Sequence, residues 1–260
     1  MSQRDAPTLE KLAVLVDAGQ YLDDEIRLQG RRLLIGRLRQ IRNDAEKGRF
    51  AGGGVDSGAL AWRLATAGGG AELWDELSAV FCSPAVRTDD KDGIARSLAY
   101  APQELPKRYR SAFIEAALRE ESDPELSAPL MRLRSAPGSI SLIVLVALDA
   151  IEQPEVTLRL AEMAGEGGRA GREEVSRVIS ILSKKLEPNI LAGTVLQLNR
   201  DDSVGVRSNA ARATASLLSF HPRNPTLLQE SFRLLRQDGI SVVNQWFHGV
   251  IAGAGIFSQD

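Results

Sequence analysis

The sequence predicts an all-α fold in which helix pairs stack one on the next, and three observations carry that prediction. Alanine and leucine abound while aromatics make up 5% of the chain and β-branched residues are sparse, a composition suited to helices that approach closely through small side chains. From position 122 onward a proline recurs behind a polar residue, at Asp123-Pro124, Gln153-Pro154, Glu187-Pro188 and Asn224-Pro225, with spacings of 30, 34 and 37 residues. Proline suits the first turn of a helix, where its missing N–H would be unpaired anyway, so each of these dipeptides marks a helix start. Within each block the apolar pattern breaks once, at Ala136-Pro137-Gly138, at Gly165 to Gly171, at Asp201-Asp202 and at Asp238-Gly239. Each block is then a helix, a turn and a second helix.

Along the N-terminal half, a short helix is predicted at residues 8–17 and a long one at 20–47. A third, containing Trp62, lies between Gly52-Gly53-Gly54 and Gly68-Gly69-Gly70, since glycine runs carry too much backbone freedom to stay helical. Helices near 71–82, 92–100 and 106–121 follow, the last entered by Leu105-Pro106. Residues 1–121 read as irregular repeats or a helical cap. Trp62, with Leu60 and Leu64, and Trp74, with Leu77, have apolar neighbours at helical spacing and are read as core; Trp62, Tyr100 and Tyr109 are the aromatic candidates for exposed anchors.

Residues 122–260 read as four antiparallel helix pairs in one α-solenoid. A unit of 30 to 37 residues cannot bury its apolar face alone, so each leans on its neighbours and shares a continuous core. The longest apolar run, Ile140 to Leu148, is read as a helix buried on most sides. The last two blocks superpose at an offset of 36, which brings Leu191 over Leu227, Leu198 over Leu234, Asp202 over Asp238 and Val206 over Val242. At about 100° per residue, Val206, Ala210, Ala211, Ala213, Leu217 and Leu218 share one arc and Ser208, Asn209, Arg212, Ser216 and Ser219 the opposite one. Arg207 falls inside the apolar arc, where an unpaired charge is costly. Asp202, or an acid on the next repeat, is its natural partner.

The stretch Asp201-Asp-Ser-Val-Gly-Val-Arg207-Ser-Asn-Ala-Ala-Arg-Ala-Thr-Ala-Ser-Leu217 resembles the second helix of a HEAT repeat, with an Asp in the turn, then Val-Arg, then alanines at helical spacing. The resemblance is best over residues 188–256 and implies that Asp202 and Arg207 are structural, bonding across adjacent repeats. The last block has Val243 where the family has arginine, so the ladder is interrupted there.

Several chemistries find no support. Cys82 is the only cysteine and His221 and His248 the only histidines, so neither an internal disulfide nor a zinc site of Cys/His spacing can be assembled. No catalytic constellation is legible, and no cofactor or metal is implied. The stretch Gly165 to Gly171 lacks both the terminal Gly-Lys-Ser/Thr and the preceding strand of a phosphate loop, and is read as a turn between paired helices. Glu173 and Glu174, and Asp89, Asp90 and Asp92, sit at predicted helix starts, where carboxylates favour the first turn. The charge is balanced, with 32 basic against 34 acidic side chains, and no segment has the length and apolarity of a membrane span. A cytoplasmic, reducing location is expected.

Three surfaces are candidates for partners. On the helix 20–47, Arg27, Arg31, Arg32, Arg39 and Arg42 fall within an arc of roughly 140°, and residues 20–49 hold eight basic and five acidic side chains. Asp23, Asp24 and Glu25 can pair with arginines one turn on; the alternative is an acidic partner or nucleic acid bound at Arg27, Arg31 and Arg42. In the second-helix row, Ser208, Arg212 and Ser216 are the candidates for a peptide or protein partner. The final helix, residues 240–257, carries an apolar arc wide enough to be covered by a second copy, a partner or an earlier segment. The expected function is a non-catalytic protein-interaction scaffold. The alternative is a DNA-binding or DNA-repair protein resembling the HEAT-like DNA glycosylases, using the arginine-rich helix.

Overall fold

Side-chain caps start the first three helices where the sequence offers a short acceptor before an apolar run. Thr8, Asp23 and Asp56 accept from the backbone N–H groups of Lys11, Ile26 and Ala59 at 3.3, 2.8 and 2.9 Å, each cap contributing about 1 kcal/mol. The structure, a computed structural model, describes residues 8–19, 22–49, 55–121, 137–166, 168–186 and 188–221, and positions 230, 233, 234, 238 and 239. Among these residues there is no strand. The helices are α1 (Leu9–Asp17), α2 (Asp24–Glu46), α3 (Ser57–Leu64), α4 (Ala71–Cys82), α5 (Thr88–Tyr100), α6 (Lys107–Glu121), α7 (Pro137–Ala147), α8 (Gln153–Glu166), α9 (Gly168–Leu182), α10 (Pro188–Leu198) and α11 (Val204–Phe220). The described residues are all-helical apart from the turns that join the helices. Pro154 and Pro188 stand in the first turns of α8 and α10, as their dipeptides imply. Pro124, Pro225, Gly52 to Gly54, His248 and the helix expected at 240–257 lie outside the described residues.

The chain divides into two compact units, Met1–Arg119 and Glu120–Asp260. In the first, α1 packs on α3, α2 on α4 and α3 on α5. Helix α4 meets α6 through aromatic pairs: Phe81 stacks on Phe113 with centroids 4.5 Å apart, and Trp74 lies parallel to Tyr109 at 6.4 Å. Trp62 meets Trp74 edge-on at 5.0 Å, so the aromatic core runs from α3 through α4 to α6. Of the three anchor candidates, Trp62 and Tyr109 are buried and Tyr100 is exposed. Helices α3 and α5 approach closely because each supplies a glycine: a Cβ at Gly58 would stand 2.8 Å from Ile94 Cγ1, and one at Gly93 would overlap the Asp56 carboxylate.

In the second unit, α9 lies against both α7 and α11, most extensively α11, while α8 packs on α10. Every residue from Ser139 to Leu148 is buried, so the apolar run forms a helix covered on all sides. The arcs drawn for α11 match its burial: Val206, Ala210, Ala211, Ala213, Leu217 and Leu218 are buried, and Arg212 and Ser219 are exposed. The glycine-rich stretch read as a turn is mostly helical, which corrects that expectation. Gly165 belongs to α8, and Gly168, at φ +53°, opens α9. A Cβ at Gly171 would stand 3.0 Å from the Met163 carbonyl oxygen, so the missing side chain there lets the start of α9 close onto the end of α8.

Candidate interaction surface

Helix α2 turns its arginines mostly toward its own unit. Arg39 donates to Glu76 at 2.6 Å and to Glu72 at 3.0 Å, and Arg42 lies 3.3 Å from the other Glu76 oxygen. Glu76 is almost fully buried, and two guanidiniums serve its one carboxylate. The Glu76 hydrogen bond pushes Arg39 above the ordinary arginine range. Arg31 donates to the Gly68 carbonyl oxygen at 3.0 Å, which holds the π-helical turn at Ala65–Gly69 against α2. Arg27 donates to the Leu22 carbonyl oxygen at 3.1 Å and lies 3.7 Å from Asp24; Arg37 donates to Gln40 at 3.2 Å. Arg32 is exposed. The local excess of positive charge is therefore largely consumed inside the unit, through acceptors 33 to 37 residues away in sequence.

In the second unit a charged pair recurs at corresponding places. Arg172, at the start of α9, bonds Asp201 in the turn between α10 and α11. Arg207, at the start of α11, bonds Asp238 in the next turn at 2.7 Å. The remaining donors of Arg207 go to the carbonyl oxygens of Asp201 and Asp202 at 2.7 and 3.0 Å. Arg207 thus reaches the acid of the following block, and it meets Asp202 through the backbone alone; the Asp202 residue is exposed. Burial raises the Asp201 carboxyl, but the Arg172 guanidinium and the Ser203 N–H outweigh it and hold the group below its ordinary value. Sequence reading missed Arg172 and Asp201. The signal was present, since Arg172 precedes Arg207 by 35 residues and Asp201 precedes Asp238 by 37.

Of the three second-helix candidates, Arg212 is exposed and Ser208 and Ser216 are half-buried. Ser216 Oγ lies 3.4 Å from Ser180 Oγ of α9, so it lies at the α9–α11 contact. On the side of the first helices, an open groove of about 550 Å³ runs between α8 and α10 and along the turn that follows α10. Gly165, Gly193 and Leu196 contribute to its floor, and Arg172, Gln197, Arg200, Asp201 and Asp202 line it as well.

Several reactive side chains make structural contacts among the described residues. Burial pushes the Cys82 thiol up, and its sulfur donates to the Ala112 carbonyl oxygen at 3.5 Å. His221 follows α11 and places Nε2 3.2 Å from the Ser183 carbonyl oxygen. Glu174 bonds Arg177 at 2.6 Å and accepts from Ser139. Asp89 and Asp90 stand in the first turn of α5. Among the described residues no group of three or more His, Cys, Asp or Glu side chains could hold a metal ion, and no helix is long and apolar enough to cross a membrane. No protein-family model matches the chain, and no curated protein or solved structure matches it either.

Proposed function

We propose that the chain is a non-catalytic scaffold, a HEAT-like α-solenoid whose stacked helix pairs offer a ridged surface to a peptide or protein partner. One observation carries the reading: polar contacts between helices recur at separations of 34 to 38 residues in both units. They join Arg31 to Gly68, Arg39 to Glu76 and Asp75 to Tyr109 in the first, and Ser139 to Glu174, Asp149 to Lys185, Ser180 to Ser216 and Ser183 to His221 in the second. Separations clustered near 36 residues, beside others of 29 to 33, 40 and 46, are what stacking of helix pairs of somewhat unequal length produces. The packing of each helix on the next but one, α1 on α3, α2 on α4, α7 on α9, α8 on α10 and α9 on α11, points the same way. The Arg172–Asp201 and Arg207–Asp238 pairs are then rungs between adjacent repeats.

Nucleic-acid binding through the arginine-rich helix has weaker support, because Arg31, Arg39 and Arg42 already spend donors on acceptors within their unit. Phosphate contacts need cations free to displace counterions. The test places a photo-cross-linking residue at Ser208, Arg212 or Ser216 in the native host, with buried Ala211 as control. Discrete polypeptide adducts from the first three and none from the control are expected. Absence of adducts, together with salt-dependent binding of short duplex DNA that persists at about 0.15 M salt, would reverse the order of the two readings.

A further inference from the structure

We infer that the outer face of α2 is a contact with a second copy of this chain, whose own α2 lies antiparallel across it with Gly36 on the two-fold axis. One stripe runs along the helix from Glu25 through Gly36 to the C-cap residue Lys47, in steps of three and four residues and within an arc of roughly 80°. Its positions are exposed apart from the half-buried Gln29. Gly36 lies inside the 23-residue helix without a positive φ, and a Cβ there would meet nothing within 4 Å. Alanine would make the better helix, so the chain's own fold does not call for glycine at this position. On a two-fold axis the residue faces itself where two helices come closest, and a missing side chain lets the backbones draw together.

The stripe is complementary to itself, and that selects the occupant. Run antiparallel about Gly36, position 25 meets 47, position 29 meets 43 and position 32 meets 40. Glu25 is then set against the copy's Lys47 at both ends of the contact, Gln29 against Asn43 as amide to amide, and the Arg32 guanidinium against the Gln40 side-chain oxygen. Arg39, which borders the stripe, is drawn aside to Glu72 and Glu76. A parallel copy in register would set Glu25 against Glu25 and Lys47 against Lys47, so charge chooses the antiparallel arrangement, and the opposed helix dipoles favour it too. An isologous contact of this kind closes after two subunits. Gly36 stands one residue from the midpoint of α2, so the two helices overlap along nearly their whole length. The exposed Leu28 and Leu33 flank the stripe on its two sides and add apolar contact.

The test is sedimentation equilibrium of the full chain from about 5 to 500 μM, since a contact made by two helices is at the small end of specific interfaces and a Kd on the order of 10–100 μM is expected. Gly36→Leu places a bulky side chain on the axis where the fold leaves open space, so association should fall at least about tenfold while the thermal midpoint stays level or rises. Glu25→Lys turns two attractive pairs into two repulsive ones and should weaken the dimer about tenfold. Glu25→Lys combined with Lys47→Glu should restore it, because the exchanged charges again face their opposites. A chain that stays monomeric to about 500 μM overturns the inference. So does a dimer indifferent to Gly36→Leu, or one weakened by Glu25→Lys that the double variant does not restore. Each of these outcomes leaves the scaffold reading in place, because that reading needs no second copy.

Discussion

The described residues of both units are helical, but the two are held together with different chemistry. In the N-terminal unit, bulky aromatics join α3, α4 and α6, and a few strong polar contacts such as Glu76 with Arg39 and Arg42 fasten α2 to α4. In the C-terminal unit the described core is aliphatic, its one aromatic, Phe220, is exposed, and serines, alanines and charged pairs recur from one helix pair to the next. A large side chain fills space that is particular to its place, so aromatic packing tolerates irregular spacing; the contacts joining Asp56 to Arg96 and Asp17 to Arg63 span 40 and 46 residues. Small side chains demand that each helix sit on the next in nearly the same way. In the HEAT-like repeat proposed for the second unit, such regularity would be a packing requirement.

The contrast is most sharply tested at Trp62. Trp62→Ala should cost about 3–5 kcal/mol in the first unit, because a fully buried indole and its edge contact with Trp74 are lost. Ile179→Ala in α9 should cost about 2–4 kcal/mol in the second. Urea unfolding with hydrogen exchange resolved by segment reads each change. Destabilisation confined to the mutated unit supports the division, and equal loss of protection across residues 8–221 would break it.

A smaller effect separates neighbouring aspartates. Asp201→Ala strands the Arg172 guanidinium from its partner and should cost about 2 kcal/mol, somewhat less than a fully buried pair. Asp202→Ala removes an exposed carboxylate and should change stability by less than about 0.5 kcal/mol. The ratio of the two, measured by thermal unfolding, is the signature of a rung that uses Asp201.

Acid should act with opposite sign on Glu230 and Asp201 of the second unit and on Asp90 of the first. Arg233 and Arg200 hold Glu230 at about 2 against an ordinary 4.5, and Asp201 is also held below its ordinary 3.8. A lowered carboxyl binds fewer protons folded than unfolded, so its contribution is complete above the unfolded value and is lost as pH falls through the folded one. The second unit should therefore weaken progressively from about pH 4.5 toward pH 2. Burial raises Asp90 in the first unit, so the folded state there holds its proton more tightly, and that group's contribution improves as pH falls toward its unfolded value. Segment-resolved exchange at pH 6, 4 and 3 checks both directions.

Least in size, two glycine substitutions should move apart. Gly193→Ala finds open space and should stabilise α10 by about 0.5–1 kcal/mol. Gly93→Ala displaces Asp56 from the α3 cap and should cost about 1 kcal/mol. Midpoints from thermal unfolding are sufficient to read the signs.

Much of the helical layout was legible because its causes are local. The long arginine helix, the helix over 71–82 and the arcs of α11 were each visible in periodicity, caps and glycine or proline punctuation. Helix α5 begins at Thr88, ahead of the expected 92, because Asp89 and Asp90 form its first turn. The glycine stretch 165–171 misled for a physical reason: glycines there serve close approach between α8 and α9 at Gly171, in addition to a turn at Gly168. The destinations of the arginines were not legible. The acids at the helix start account for Arg27, 3.7 Å from Asp24, whereas Arg31, Arg39 and Arg42 lie beyond one turn of them and reach across to Gly68, Glu72 and Glu76.

By itself the sequence determined which segments are helical and which face of each must be covered, since helix periodicity and end capping depend on residues within a few positions of one another. Only the tertiary structure decided that Arg207 pairs with Asp238, that Arg172 takes Asp201, and that Gly165 and Gly193 open onto one groove. Such pairings depend on how far one helix slides and turns against another. A shift of one helical turn, about 5.4 Å, would exchange every partner while leaving each helix unchanged.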